Sequence, residues 1–137
     1  MARIRTIKPE FFTSMDVSHM TPWARLLFIG LWTHSDDEGR NLSEPLLIKA
    51  ALFPLDQHLG PDDVQSLMLE LAGHGVIDLY SDEAGRKLYQ VRGWKDHQRI
   101  DRPKASKYPS PNDRGCVVDE SSMDRGRGER LCPVGLS

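Results

Sequence analysis

The chain has 137 residues, 39% of them hydrophobic, and a formal net charge of −2, which suits one domain with one modest core plus extensions. No apolar run approaches the roughly 18 to 20 residues of a membrane span, and the start, basic but without a following apolar stretch, does not read as a secretory signal, so a cytosolic protein is expected. Only Cys116 and Cys132 carry thiols, both in a polar C-terminal stretch, which predicts free thiols rather than a disulfide framework and gives no zinc-ligand spacing.

Residues 1–20 form an N-terminal extension. Ile4 and Ile7 alternate with polar residues in a short strand-like stretch, and Pro9 opens a helical turn anchored by Phe11, Phe12 and Val17. Thr21-Pro22 is a helix start, a hydroxyl N-cap before a proline at the first helical position. The helix over 22–35 carries Leu26, Leu27, Ile29, Leu31 and Trp32 with little polar face, and is predicted to be central and buried. Asp36-Asp37-Glu38-Gly39 turns the chain into a short strand over 40–43.

Two further proline-initiated helices follow, over 45–53 and 61–74. In the second, Val64, Leu67, Met68 and Leu71 fall on one apolar stripe, and Gly73 or Gly75 supplies a left-handed cap. Strands over 76–80 and 87–92 flank Asp82-Glu83-Ala84-Gly85, a short hairpin loop with glycine at the positive-φ position. Residues 95–109 read as a basic arm and 110–137 as a disordered tail too polar to offset its chain entropy. This order predicts an α+β fold over 21–94: a winged helix-turn-helix, with a three-helix core and a small antiparallel wing.

Charge is segregated. Residues 9–85 hold thirteen Asp and Glu against Arg25, Arg40 and Lys49, whereas 86–108 hold eight Lys and Arg against Asp96 and Asp101. Domains of this kind usually bind DNA. The wing (Arg86, Lys87) and the arm (Lys95, Arg99, Arg102, Lys104, Lys107) are the strongest candidates for phosphate contact, set against a merely solubilising arm. Tyr108 is a candidate for base stacking, set against simple packing on the domain. Arg3, Arg5 and Lys8 form a second basic arm or a charged strand, and Lys49 is a further cation on the body. On the third helix Gln65 and Ser66 can read base edges. Its neighbours Asp62, Asp63 and Glu70 would repel phosphates and suit a solvated face or a basic protein partner instead.

The stretches Arg3-Ile-Arg-Thr-Ile-Lys-Pro-Glu-Phe-Phe-Thr-Ser14, Ala24-Arg-Leu-Leu-Phe-Ile-Gly-Leu-Trp32 with Asp-Asp-Glu-Gly-Arg40 after it, and Trp94-Lys-Asp-His-Gln-Arg-Ile-Asp-Arg-Pro103 with Lys107-Tyr-Pro109 resemble phage and prophage replication-associated winged-helix proteins, akin to the DnaD-like replisome organisers. The resemblance spans about residues 3–109. It implies duplex DNA binding at an origin, recruitment of a host or phage replication protein, and self-association into a dimer. Fuller relatives continue into a longer partner-binding region, where this chain carries a short polar tail, as a truncated or specialised relative would.

No catalytic residue, cofactor or metal is expected. Asp36, Asp37 and Glu38 point in different directions from one turn, the five histidines are scattered, and no Walker loop is present. The leading expectation is a phage-derived DNA-binding protein of replication initiation or its regulation. The alternatives are a protein-binding winged helix whose acidic surface inhibits or recruits a host nucleic-acid-binding complex, in the manner of an anti-CRISPR, and a transcriptional repressor.

Overall fold

Among the described residues proline stands at the start of each long helix, where its missing N–H costs nothing in the first turn. The computed structural model describes residues 2–119. A 3-10 turn (Pro9–Thr13) and α1 (Met15–Ser18) lead into α2 (Pro22–His34), whose N-cap Thr21 accepts a hydrogen bond from the Ala24 amide. After β1 (Arg40–Leu42) come α3 (Pro45–Leu52) and α4 (Pro61–Gly73). Then follow β2 (Ile77–Ser81), β3 (Lys87–Val91), α5 (Trp94–His97) and β4 (Val117–Val118). The described residues thus form an α+β fold with five α-helices and one four-stranded antiparallel sheet of order β1-β3-β2-β4.

The element boundaries expected from prolines and glycines hold to within about one residue. Gly75 (φ +75) ends the α4 region, with Val76 N donating to Leu71 O, and Gly85 (φ +85) closes the β2–β3 hairpin. The α4 stripe buries Val64, Met68 and Leu71 completely, each worth about 1.5–3 kcal/mol of transfer free energy. Facing it, α2 buries Ala24, Leu27, Phe28, Leu31 and Trp32. It is not buried all round as expected, for Leu26 and Trp23 stay open on its far flank.

Strand register sorts the sheet into two faces. Ile77↔Val91 and Leu79↔Tyr89 point into the helical core, and Tyr80↔Leu88, the next pair along, lie on the opposite face. Tyr80 and Leu88 are nonetheless fully buried. At this face the chain beyond α5 returns. Tyr80 Oη donates to Pro109 O, Arg40 Nη1 donates to Tyr108 O (3.0 Å), and β4 adds to the free side of β2.

Two expectations are corrected here. Residues 95–109 are not a free arm, and residues 110–119 are not a disordered tail. They form a short helix, a strap across the outer face of the sheet, and a strand. The reason is that the sheet carries apolar residues on both faces, and the turn at Asp36 and Asp37 supplies acceptors that pin the strap. The rest of the expected tail, with Cys132, lies outside the described residues. The N-terminal strand does not form either. Residues 3–7 run without a ladder and are held by Arg3 N to Thr33 O and by a clasp in which Gln98 accepts from Thr6 N (3.0 Å) and donates to Thr6 O (2.7 Å).

Candidate nucleic-acid interface

The turn after α2 is the organising centre of the basic segments. Asp36 Oδ1 accepts from the amides of Glu38 and Arg40, and its other oxygen accepts from Ser106 Oγ. Asp37 Oδ1 accepts from Arg3 Nη1 (3.0 Å) and Arg5 Nη2 (3.4 Å), Oδ2 accepts from Lys104 N (3.0 Å), and its carbonyl accepts from Trp94 Nε1 (2.8 Å). The two carboxylates therefore join the N-terminal segment, the strap and the sheet. The Lys104 amide foremost, then the Arg3 and Arg5 guanidinium groups, hold the Asp37 carboxyl below the usual carboxylate range, against the opposing effect of burial.

The candidate cations separate into two groups. Arg5 is internal: its side chain is 7% exposed, donates to Trp32 O and Ser35 O, and lies over the Trp94 ring. Arg3 pairs with Asp37, Lys8 Nζ donates to Asp96 O, and Lys49 Nζ donates to Phe53 O at the end of α3. The expected N-terminal DNA arm is thus corrected for Arg5. Burying a guanidinium demands partners, and this one has spent its donors on the fold. Arg3, Lys8 and Lys49 are likewise engaged within it.

The second group faces solvent. Lys87, Lys95, Arg99, Arg102, Lys104 and Lys107 are exposed, and among the described residues none has a side-chain partner. Arg86 pairs with Asp82 (2.6 Å) and sits over the Tyr108 ring at 5.2 Å, which brings the hairpin tip against the strap. The result is a cationic strip from Arg99 along the strap to Lys107, Arg86 and Lys87. Its backbone is fixed at Lys104, Ser106 and Tyr108, so the charges are presented at set positions rather than on a flexible tether. Arg114, also exposed, was not among the expected residues.

On α4, Gln65, Ser66 and Asp62 are exposed. Asp63 accepts from Gly60 N (2.8 Å) in a capping arrangement. Glu70 is not a free acidic face. Its carboxylate accepts from Thr21 N (2.8 Å) and Thr21 Oγ1 (3.0 Å), closing the α2 N-terminus against α4. Phe11 folds into the core while Phe12, the other expected anchor of that turn, stays 70% exposed. No protein-family model matches the chain, and no curated protein or solved structure matches it either.

Two histidines tie stability to pH. Burial lowers the pKa of both His34 and His97. The folded chain holds them neutral, whereas in the unfolded chain each titrates near about 6.5. Their contribution is complete above that value and is lost as pH falls below it. Thermal melts are expected to shift down by a few degrees between pH 7.5 and pH 5, before carboxylates titrate. A His34→Gln/His97→Gln variant should lose most of that shift. Equal shifts in both proteins would contradict the assignment.

Proposed function

We propose that the chain is a winged-helix DNA-binding module that acts in replication initiation or its regulation. The run α2–β1–α3–α4–β2–β3, with β1 antiparallel to β3, agrees with a winged-helix order in which α4 is the third helix and the hairpin is the wing. The observation that carries the reading is the strip of exposed, internally unpartnered cations Lys95, Arg99, Arg102, Lys104 and Lys107 beside the hairpin tip. Such a strip suits phosphate contact, which gives affinity and register but not sequence choice. Gln65 and Ser66 on α4 are the side chains left to read bases. The resemblance to phage replication proteins supplies the biological setting.

The test is fluorescence anisotropy with a labelled duplex from low to physiological salt, on the native protein and on an Arg99→Ala/Arg102→Ala/Lys104→Ala/Lys107→Ala variant. The native protein is expected to bind with a steep salt dependence. In the variant, the slope of log K against log salt should become shallower by about 0.9 for each phosphate that is no longer neutralised. No binding at low salt, or an unchanged slope in the variant, overturns the reading. One observation favours the protein-partner alternative: α4 carries exposed Asp62 and no Lys or Arg. Asp62→Lys separates the two, since it should strengthen DNA binding and weaken capture by a basic partner.

A further inference from the structure

Helix α3 reads Pro-Leu-Leu-Ile-Lys-Ala-Ala-Leu, and its two sides differ. On the inner side Ile48 is fully buried, and a Leu52 methyl lies 2.9 Å from where a Cβ on Gly30 of α2 would stand. On the outer side Leu46, Leu47, Ala50 and Ala51 are all exposed. Spaced i, i+1, i+4 and i+5, they share one arc of about 140° on the helix. Leu46 is 64% exposed and Leu47 49%. A surface helix ordinarily turns polar residues to water, as α4 does with Asp62, Gln65 and Ser66. The outer side of α3 turns none. Its one charged side chain, Lys49, bends back along the helix, where Nζ donates to Phe53 O (2.8 Å) and Asp56 O (3.4 Å). Leu55, 89% exposed, follows close behind the helix end.

The order of these residues fits a second copy of the same face. Two α3 helices can be set antiparallel about a two-fold axis that passes between Ile48 and Lys49. Leu46 then stands opposite the second copy's Ala51, and Leu47 opposite its Ala50. Each leucine meets an alanine, large against small, which suits helices packed about 8–10 Å apart. A two-fold contact sets a surface against itself, so it favours a face without charge. The body of this chain is acidic, but the outer side of α3 carries no ionised group. Charge stands only at its ends. Glu44, exposed at the N-cap position, makes no side-chain capping bond. The Lys49 ammonium lies at the other end, held by carbonyls rather than by a carboxylate. Antiparallel pairing brings the acid of each copy toward the ammonium of the other, whereas parallel pairing sets like against like.

We propose that the outer face of α3 joins two copies of this chain in an antiparallel, two-fold dimer. The face is small, well below the roughly 800 Å² that each partner gives to a stable interface. The dimer is therefore weak, with a dissociation constant between about 10 µM and 1 mM. None of the strip cations lies on α3, so the dimer stands independently of the DNA-binding reading.

The experiment is sedimentation equilibrium of the full chain, free of nucleic acid and kept reduced, across about 10 µM to 1 mM. The native chain is expected to move from monomer toward dimer over that range. Ala50→Glu sets a carboxylate of each copy beside the axis and should weaken association at least about tenfold. A thermal melt shows whether the variant still folds. If it does not, Leu46→Ala takes its place, since it removes a large side chain from the contact and should also weaken association about tenfold. Glu44→Lys should weaken it at least about threefold at low salt and less at high salt, because that pair lies at the rim. A native chain that stays monomeric at about 1 mM overturns the proposal, whether the face is then bare or serves a different protein. A dimer that Ala50→Glu and Leu46→Ala leave unchanged also overturns it, by placing self-association on another surface. An unchanged constant for Glu44→Lys at low salt overturns the antiparallel register.

Discussion

Replacing Asp37 by alanine is expected to cost about 3–5 kcal/mol of folding free energy, the range for removing one partner of a buried ion pair. The Asp37 side chain is 6% exposed, and the Arg5 side chain beside it 7%. Without the carboxylate, the Arg5 guanidinium keeps its backbone acceptors but loses its countercharge. The Lys104 amide loses its acceptor, and the strap loses one of its fixed points. Urea denaturation of the variant should show the loss, and a change below about 1 kcal/mol, the level of an exposed pair, would contradict it. The same carboxylate has a pH signature of the same direction as the histidines but in a lower pH window. Its folded pKa is lowered, so its contribution is present above about pH 4, the unfolded value, and is lost as pH falls through the lower folded one.

Gly39→Ala is the second substitution with a large expected effect, at about 3 kcal/mol, because a left-handed backbone and an overpacked contact coincide there. Gly39 has φ +81, and a Cβ would stand 2.8 Å from Cγ and Cδ2 of Trp94. The indole cannot give way. It is 5% exposed, its Nε1 is bonded to Asp37 O, and the Arg5 guanidinium lies over its face at 5.1 Å. Gly85→Ala is the control. Its φ of +85 is similar, but a Cβ there meets nothing within 4 Å, so only the backbone term of about 1–2 kcal/mol remains. Equal losses at the two positions would show that the Trp94 contact adds nothing. Because Asp37 and Gly39 act on one cluster, the double variant should lose less than the sum of the single losses.

Much of this architecture is legible in the residues that govern backbone geometry. Pro22, Pro45 and Pro61 start helices, Gly75 and Gly85 sit where positive φ is needed, and the spacing of Val64, Met68 and Leu71 marks the buried face of α4. The strap was not legible, because a run of lysines and arginines records where charge is and not whether the backbone beneath it is bonded. One signal did point to it. Leu79-Tyr80 and Leu88-Tyr89 place apolar residues on both faces of the hairpin, so something had to cover the second face. The partition of the cations was hidden for a similar reason. Arg5 and Arg99 look alike in sequence, and only the approach of Asp37, thirty-two residues from Arg5, makes one of them internal. Glu70 is a comparable case, closing a helix start forty-nine residues away. The Trp32–His97 stack pairs residues that the chain keeps far apart, and no local pattern marks either one.

The placement of β4 has one more consequence, for how this chain behaves among copies of itself. Without Val117 and Val118, the sheet would end on β2, whose five residues would leave a row of unpaired amides and carbonyls along one side. With them, β4 covers the Tyr80–Ser81 end of β2, and the opposite margin is β1, of three residues. Margins so brief offer little template for an incoming strand. The chain that carries the cations thus also shortens the open edge of the sheet. A protein cut before residue 117 would gain a sticky border while losing none of its helical core.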